Sequence, residues 1–230
     1  MIINGLQKLT LLDYPGKTAC TIFTSGCNFR CPFCHNAPLV LTPGKNEVIP
    51  EEEIFSFLIK RQGILDGVCI TGGEPLLQPD IDEFIGKIKD LGYMVKLDTN
   101  GSFPERLSSL IEKGLIDYVA MDIKNTKEKY GETVGVDNFD VAKIEKSVEI
   151  LKQNKIPYEF RTTVAKEMHT ENDIIEIGKW LSGDSKYFLQ QYKTSENLVG
   201  SPMSAYDEKE MKNLANAVMT HLPATSTRGV

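Results

Sequence analysis

The sequence of 230 residues lacks the features that would place it in a membrane or on a nucleic acid. No apolar run approaches the ~18 residues that a membrane-spanning helix needs. The first 25 residues carry Lys8, Asp13 and Lys17 and have no apolar core of the kind found in signal peptides. A net charge of −6 gives no electrostatic footprint for nucleic acid. We therefore expect a cytoplasmic protein with neither a membrane nor a nucleic acid as its partner.

The sequence also lacks internal repeats and any stretch rich enough in proline, glycine or serine to divide it into domains. We expect a lead-in strand and turn over residues 1–17, a single domain over 18–222 and a loose tail over 223–230. The lead-in strand is predicted from Gln7 to Leu12, and Pro15-Gly16 suits the central positions of a type II turn.

From residue 18 onward, short β-rich runs alternate with amphipathic helical runs. The predicted strands are Thr18–Phe23, Val68–Thr71, Tyr93–Leu97, Tyr118–Ile123, Ile156–Val164 and Tyr187–Gln191. Strands that alternate with helices indicate an α/β fold with a parallel sheet. Because six β/α units fall short of the eight that close a barrel, the expected architecture is a partial (β/α)6 parallel barrel, open on one side.

Cysteine is scarce, and three of the five cysteines lie in one short segment. Cys27, Cys31 and Cys34 have the spacing C-x3-C-x2-C, so one loop can turn three soft thiolates toward zinc or an iron–sulfur cluster. Cys20 and Cys69 are isolated in apolar runs and are predicted to be small core residues. Because a [4Fe–4S] cube normally takes four cysteines, a cube bound here would keep one iron without a cysteine ligand.

A structural zinc site is the alternative for this segment, with His35 as the fourth ligand. Cys34 and His35 are consecutive, and both would have to bend back onto one ion. That requirement counts against zinc. Clustered cysteines in either role favour a reducing compartment over a disulfide framework.

Polar or cysteine-containing segments lie at or just after the carboxyl end of each predicted strand. They are the cysteine segment, Gly72-Gly73-Glu74-Pro75, Asp98-Thr99-Asn100-Gly101, Asp122-Ile123-Lys124, Arg161 and Gln190-Gln191-Tyr192, in chain order. The carboxyl ends of parallel strands meet at one edge of the sheet, where ligands bind in such folds. We therefore expect these segments to form one site.

The side chains at this edge have distinct expected tasks. Gly72 and Gly73 let the backbone approach a ligand closely, and Glu74 can accept hydrogen bonds from an ammonium group. Arg161 needs a carboxylate, either on a ligand or on a structural partner such as Glu159 or an aspartate. An ordinary turn remains an alternative for Gly72-Gly73 and for Asp98 and Asn100.

The cysteine motif, with Phe33 just before the third cysteine, resembles that of the radical S-adenosylmethionine (SAM) superfamily. The resemblance implies one [4Fe–4S] cluster whose open iron binds the amino and carboxylate groups of SAM. An electron from the cluster then breaks the sulfonium S–C5′ bond and yields a 5′-deoxyadenosyl radical. No cysteines remain for an auxiliary cluster, and no catalytic side chain is expected beyond the cluster and SAM.

The same resemblance implies roles for the other residues. Gly72 to Pro75 would lie against the SAM amino group, while Asp98, Asp122 and Lys124 would surround the ribose and the methionine carboxylate. A monovalent cation between the two aspartates is a hypothesis. The full set expected to bind the cofactor is Phe33, His35, Asn36, Gly72, Gly73, Glu74, Asp98, Thr99, Asn100, Asp122, Lys124, Arg161 and Gln191. His169 and His221 are expected at the surface.

Within the superfamily, residues 10–17, 27–36 and 226–230 resemble the activating proteins of anaerobic ribonucleoside-triphosphate reductase. That branch implies removal of a hydrogen from a backbone glycine of a large glycyl radical enzyme, with flavodoxin or ferredoxin as the electron donor. Relatives that act on pyruvate formate-lyase usually have Asp-Gly-Pro-Gly where this chain has Asp13-Tyr14-Pro15-Gly16, and Pro-Tyr-His where it has Gln191-Tyr192-Lys193. These differences leave the partner and the role of Lys193 open.

Two other functions remain possible at this point. One is a radical SAM enzyme for a small molecule, of the modified-base synthesis type. The other is a non-enzymatic zinc or electron-transfer protein.

Overall fold

The computed structural model of the chain describes residues 1–43, 45 and 47–230, and its strands form one eight-stranded sheet in sequence order. The strands are β1 Ile3–Thr10, β2 Ala19–Thr24, β3 Gly67–Gly72, β4 Met94–Thr99, β5 Tyr118–Asp122, β6 Tyr158–Val164, β7 Lys186–Gln191 and β8 Thr225–Arg228. The helices are α1 Ala37–Leu41, α2 Glu51–Arg61, α3 Ile81–Asp90, α4 Pro104–Glu112, α5 Tyr130–Val134, α6 Ala142–Lys152, α7 Glu171–Leu181 and α8 Glu208–Val218, with a 3₁₀ turn at Pro75–Leu77.

The six predicted strands are β2 to β7, and each pairs in parallel with the next. β1 is antiparallel to β2, and β8 is parallel to β7. β1 and β8 do not pair with each other in the described part of the chain, so the sheet is an open partial barrel, as expected. Amphipathic helices contribute buried side chains to the core, as Phe84, Ile85 and Ile88 of α3 do.

The lead-in strand lies earlier than the predicted Gln7–Leu12. β1 ends at Thr10, whose Oγ1 accepts hydrogen bonds from the backbone N–H groups of Leu12 and Asp13 and so turns the chain away from the sheet. The predicted turn at 13–16 is present. Lys17 N donates to Tyr14 O at 3.1 Å, and Gly16 has a φ of 69°, as a type II turn requires at that position.

The prediction of a loose tail over 223–230 is wrong, because Thr225–Arg228 forms β8. The guanidinium of Arg228 donates to both carboxylate oxygens of Glu159 on β6, at 2.7 and 3.0 Å. This ion pair attaches the last strand to the interior of the sheet. A sequence of Thr, Ser, Thr and Arg carries almost no apolar signal, so the pattern gave no reason to expect a strand.

No helix in the described ranges has both the length and the apolarity that a bilayer-spanning segment requires.

Candidate functional site

A cavity of about 510 Å³ lies at the carboxyl ends of strands β2 to β7. Its walls contain the three clustered cysteines and most of the other residues singled out from the sequence. The lining residues are Asp13, Cys27, Phe29, Cys31, Phe33, Cys34, His35, Asn36, Val40, Thr71, Gly72, Gly73, Asp98, Thr99, Asn100, Asp122, Lys124, Arg161, Thr163 and Gln190. The polar segments that follow successive strands therefore meet at one place.

The loop that carries the cysteines is held on two sides by backbone hydrogen bonds. On one side Arg30 N donates to Val134 O at the end of α5, at 2.7 Å. On the other side Val199 N donates to Cys34 O at 3.1 Å, and Gly200 N donates to Pro32 O at 2.9 Å. The side chain of Arg30 also donates to the Cys27 carbonyl at 2.7 Å. These contacts hold the cysteine loop at the carboxyl ends of the strands.

The donor set and its surroundings fit an iron–sulfur cluster. Burial raises the pKa of the Cys27 thiol to about 11 and that of Cys31 to about 12, although the positive charge of Lys124 opposes both shifts. Iron binds the thiolate form, so binding of the cluster releases protons. The bond to iron also stabilises a thiolate that would otherwise be buried without a partner. Phe29 N and Asn100 Nδ2 approach Cys27 Sγ at 3.4 and 3.8 Å, and such N–H···S contacts tune cluster potentials.

Among the described residues, no three or more His, Cys, Asp or Glu side chains are grouped around a single ion position. His35 is exposed and packs against the ring of Tyr192, with ring centroids 5.8 Å apart.

The glycines after β3 are required by the neighbouring backbone. Gly72 has a φ of 116°, and a Cβ there would lie 2.3 Å from Thr24 N. A Cβ on Gly73 would lie 1.9 Å from Gly26 O. The Asn36 side chain donates to Gly72 O at 2.9 Å and thereby ties the cysteine loop to this turn. Because neither glycine has a side chain, the turn can pack against the cysteine loop and form part of the cavity wall.

Glu74 does not lie on the cavity wall, contrary to the expectation that it meets a ligand ammonium directly. It is fully buried, and its carboxylate accepts hydrogen bonds from Leu76 N at 3.0 Å, Thr99 Oγ1 at 2.8 Å and Asn100 N at 2.7 Å. Burial raises its pKa to about 7 against the effect of these donors. Glu74 therefore positions Thr99 and Asn100, which do line the cavity.

Asn100 links β4 to the cysteine loop. Its Nδ2 donates to Asn28 Oδ1 at 3.0 Å, and its Oδ1 accepts from Ser102 N at 2.9 Å. The second bond is the turn contact that the sequence allowed as an alternative, so Asn100 both forms the turn and reaches the loop.

Asp98 and Asp122 face the cavity from neighbouring strands and are both paired with Arg161. Arg161 Nε donates to Asp122 Oδ1 at 2.9 Å, and Nη1 donates to Asp98 Oδ2 at 3.2 Å. Lys124 donates to Asp122 Oδ2 at 3.0 Å. Burial alone would raise both carboxyl pKa values, but the neighbouring cations outweigh it, hold the pKa of Asp122 at about 2 and lower that of Asp98. Arg161 thus pairs with the two aspartates, whereas the carboxylate of Glu159, the other partner considered, pairs with Arg228.

The glutamine of β7 that lines the cavity is Gln190, one position before the expected Gln191. Gln190 lines the cavity, whereas the side chain of Gln191 donates to Tyr206 O at 2.8 Å. Successive side chains of a strand point to opposite faces, so only one of two consecutive glutamines can reach the cavity.

His169 is buried, contrary to the surface position expected for it. Its Nδ1 accepts from Ala165 N at 3.3 Å, which leaves the proton on Nε2 to be donated to Lys124 O at 2.8 Å. The ring supports the backbone of a cavity residue from behind. The sequence offered no signal for this contact, because His169 lies in a loop far from Lys124 along the chain.

Two charged residues of the site were missed in the sequence. Asp13, from the turn after β1, lines the cavity and accepts from Thr21 Oγ1 at 2.6 Å. Lys96 is fully buried beneath the cavity, where its ammonium contacts Asp98 and lies 3.8 Å from Cys69 Sγ. Lys96 and Asp98 are two residues apart on β4 and lie on the same face of the strand, so the predicted position of Asp98 also indicated that of Lys96.

The chain is similar to several known proteins. The model of the radical SAM superfamily matches residues 21–181. The chain is 37% identical over 218 residues to a Methanocaldococcus jannaschii protein named "Putative glycyl-radical enzyme activating enzyme", covering 92% of this chain and 85% of that protein. It is 35% identical over 137 residues to a Thermococcus kodakarensis protein named "Probable GTP 3',8-cyclase", covering 58% of this chain and 44% of that one.

The fold is also found in a solved structure of Streptococcus suis SuiB bound to S-adenosylmethionine. The match has a TM-score of 0.65 at 18% identity and covers 88% of this chain and 48% of that chain. At this identity the likeness concerns the fold alone. The family model covers most of the chain, including all three clustered cysteines. The chain therefore belongs to the radical SAM superfamily.

Proposed function

We propose that this radical SAM enzyme activates a glycyl radical enzyme by removing a hydrogen atom from a backbone glycine of that partner. The observation that carries the proposal is the similarity to the M. jannaschii activating-enzyme relative, which extends over 92% of the chain and 85% of that protein. The resemblance of residues 10–17 and 226–230 to one branch favours an anaerobic ribonucleotide reductase as the partner.

In this proposal Cys27, Cys31 and Cys34 hold one [4Fe–4S] cluster at the cavity mouth. A reduced cluster bound there would supply the electron for cleavage of SAM into methionine and a 5′-deoxyadenosyl radical, and that radical would remove the glycine hydrogen. Arg161 and Lys124 give the cavity the positive charge that suits the methionine carboxylate.

The other cavity residues orient the cofactor and limit access of water. Gly72 and Gly73 offer backbone groups to the SAM amino end, and Thr99 and Asn100 are held in place by Glu74. Phe33, His35 and Asn36 brace the cysteine loop or meet the adenine. Glu74 and Gln191 are assigned supporting positions rather than direct contacts, because both carry protein partners.

The open sheet supports access for a partner. β1 and β8 do not pair in the described residues, so the interior can be reached from the side by a loop of another protein. A flavodoxin or ferredoxin is proposed as the electron donor, and the cytoplasm as the location.

A radical SAM enzyme acting on a small molecule is the second candidate. The similarity to the T. kodakarensis protein named as a GTP cyclase favours it, although that match covers only 58% of the chain. Asp13, Thr163 and Gln190 add polar groups to the cavity wall, which suits a small polar substrate as well as a peptide.

The test is anaerobic reconstitution with iron and sulfide, followed by reduction with dithionite in the presence of SAM and a candidate partner. We expect a doublet glycyl signal in electron paramagnetic resonance and formation of 5′-deoxyadenosine. Cys31→Ala should lose both, while Cys20→Ala, a buried cysteine away from the cavity, should keep both.

Replacing the partner's glycine by alanine should remove the doublet. SAM cleavage that is stimulated by a nucleotide and never by a protein partner would favour the second candidate. Preparations that bind zinc and fail to cleave SAM after reduction would contradict both.

A further inference from the structure

Five charged side chains alternate in sign along the base of the cavity: Lys96, Asp98, Arg161, Asp122 and Lys124. They come from β4, from β6 and from β5 with the residues that follow it. Arg161 stands between the two aspartates, and a lysine closes each end of the row. We call this group the charge row.

Every carboxylate oxygen in the charge row already has a cationic partner on the chain. Asp98 Oδ1 meets Lys96 and Oδ2 meets Arg161, while Asp122 Oδ1 meets Arg161 and Oδ2 meets Lys124. An inorganic cation takes several oxygen ligands and gains most from carboxylates. Bound here, it would share each oxygen with a buried guanidinium or ammonium and would be repelled by that cation. The residues present therefore do not fit the monovalent cation that the resemblance led us to consider.

The sum of charges points the same way. Two carboxylates and three fixed cations leave the row with one positive charge, so the repulsion between the two acids is already compensated. One further cation would add to that positive charge.

Lys96 is the member that makes this compensation complete. It is fully buried and, unlike Arg161 and Lys124, does not line the cavity. Its ammonium is confined between Asp98 and Cys69 Sγ, and burial holds Cys69 as a neutral thiol by raising its pKa. Lys96 therefore acts on a bound ligand only through Asp98.

We propose that Lys96 is a built-in counter-ion that takes the place of an alkali cation at Asp98, so that this enzyme binds SAM without any requirement for Na⁺ or K⁺. Lys96 is a positioning residue in this arrangement. The proposal requires SAM binding but not activation of a partner, so it can fail or succeed independently of the proposed function.

The test measures SAM affinity by equilibrium dialysis of the reconstituted, unreduced protein. Choline chloride is replaced stepwise by KCl or NaCl at a constant ionic strength of ~0.1 M, so that general screening does not change. The wild-type affinity is expected to stay within about twofold throughout the replacement. Lys113→Met, which breaks a lysine–aspartate pair outside the cavity, is the matched control and should behave like the wild type.

Two substitutions of Lys96 separate its charge from the space that it fills. Lys96→Ala removes the charge and leaves room for an ion, whereas Lys96→Met removes the charge and fills the space. In choline both should bind SAM about tenfold more weakly, because Asp98 is left undercompensated. K⁺ or Na⁺ should restore Lys96→Ala and not Lys96→Met.

An ion readout that does not involve SAM completes the test. Rubidium soaked into crystals should give an anomalous peak beside Asp98 in Lys96→Ala and none in the wild type, and K⁺ should raise the melting temperature of Lys96→Ala alone. A wild-type affinity that rises about tenfold with K⁺ would overturn the proposal. So would a wild-type rubidium peak, or a loss in Lys96→Ala that neither ion restores. If neither Lys96 variant folds in any salt, the two wild-type measurements decide.

Discussion

Two carboxylates can share one side of the cavity because Arg161 stands between them. A buried acid without a partner would take up a proton, and two such acids side by side would do so more readily. Because the Arg161 guanidinium donates hydrogen bonds to both, Asp98 and Asp122 stay ionised, and the pKa of Asp122 is held at about 2. The electrostatics of the cavity thus depend more on this one residue than on any single acid.

Replacing Arg161 by glutamine is expected to destabilise the protein strongly. The substitution leaves the two buried carboxylates facing each other with only Lys96 and Lys124 as partners, and breaking a buried ion pair in this way costs about 3 kcal/mol. The free energy of unfolding in urea measures the effect. Arg61→Gln, on the exposed part of α2, should cost less than about 0.5 kcal/mol. Equal losses in the two variants would contradict the role given to Arg161.

His169 makes the stability depend on pH. Burial lowers its pKa below the ordinary value of 6.5, although its two hydrogen bonds partly oppose the shift. The folded state therefore keeps the ring neutral, while the unfolded chain takes up a proton as the pH falls through 6.5. This contribution to stability is complete above pH 6.5 and is lost below it, by at most about 1.4 kcal/mol per pH unit.

Urea unfolding at pH 7.5, 6.5 and 5.5 measures this dependence. His169→Gln should be less stable at all three values and should lack the histidine part of the decline, whereas His221→Gln should retain it. A decline of the same slope in His169→Gln would assign the pH dependence to other groups.

Among the secondary-structure elements, the sequence predicts those whose position depends on the spacing of apolar residues and on the order of strands and helices along the chain. The parallel strands β2 to β7 and their order follow from apolar runs that alternate with amphipathic helices. Because carboxyl ends of parallel strands converge, the positions of Asp98, Asp122 and Arg161 follow as well.

Other elements depend on contacts between distant residues, which a pattern does not contain. β8 is held by the pair of Arg228 with Glu159, and the two are far apart along the chain. Glu74 looked like a ligand residue because it belongs to a recognisable motif, yet its carboxylate turns toward Thr99 and Asn100. The prediction for Gln191 is wrong because Gln190 and Gln191 are both polar, so the sequence does not show which of the two side chains faces the cavity.

The last strand should depend on its interior ion pair. Arg228→Met leaves the carboxylate of Glu159 buried and, within the described residues, hydrogen-bonded to the Tyr118 hydroxyl at 2.9 Å, and should cost about 3 kcal/mol. The double variant Arg228→Met with Glu159→Gln removes both charges and should recover much of that loss. Urea unfolding of the wild type, Arg228→Met, Glu159→Gln and the double variant gives the coupling energy. Additive losses would show that β8 is held by backbone pairing alone.

At the scale of the whole molecule, the two ends of the sheet differ in what they can do. The carboxyl ends carry the large cavity, the cysteine loop and the charge row. The amino ends of β5 to β7 carry a smaller cavity of about 290 Å³, whose lining includes Tyr118, Tyr158 and Lys186. This polarity is a property of parallel β/α sheets, in which the loops after the strands are free to vary while the opposite end maintains the fold.

Hydrogen exchange should reveal this polarity when SAM binds. A ligand that binds only the folded state, at ~100 times its dissociation constant, stabilises that state by about 2.7 kcal/mol. The added protection should concentrate in the segments that line the large cavity, which lie within residues 27–36, 71–73, 98–100, 122–124 and 161–163. Peptides from α2 and from residues 152–157, at the smaller cavity, should change little and serve as internal controls. The experiment uses reconstituted, unreduced protein with and without SAM. Protection centred on the amino ends of the strands would place the ligand in the wrong half of the sheet and contradict the site described above.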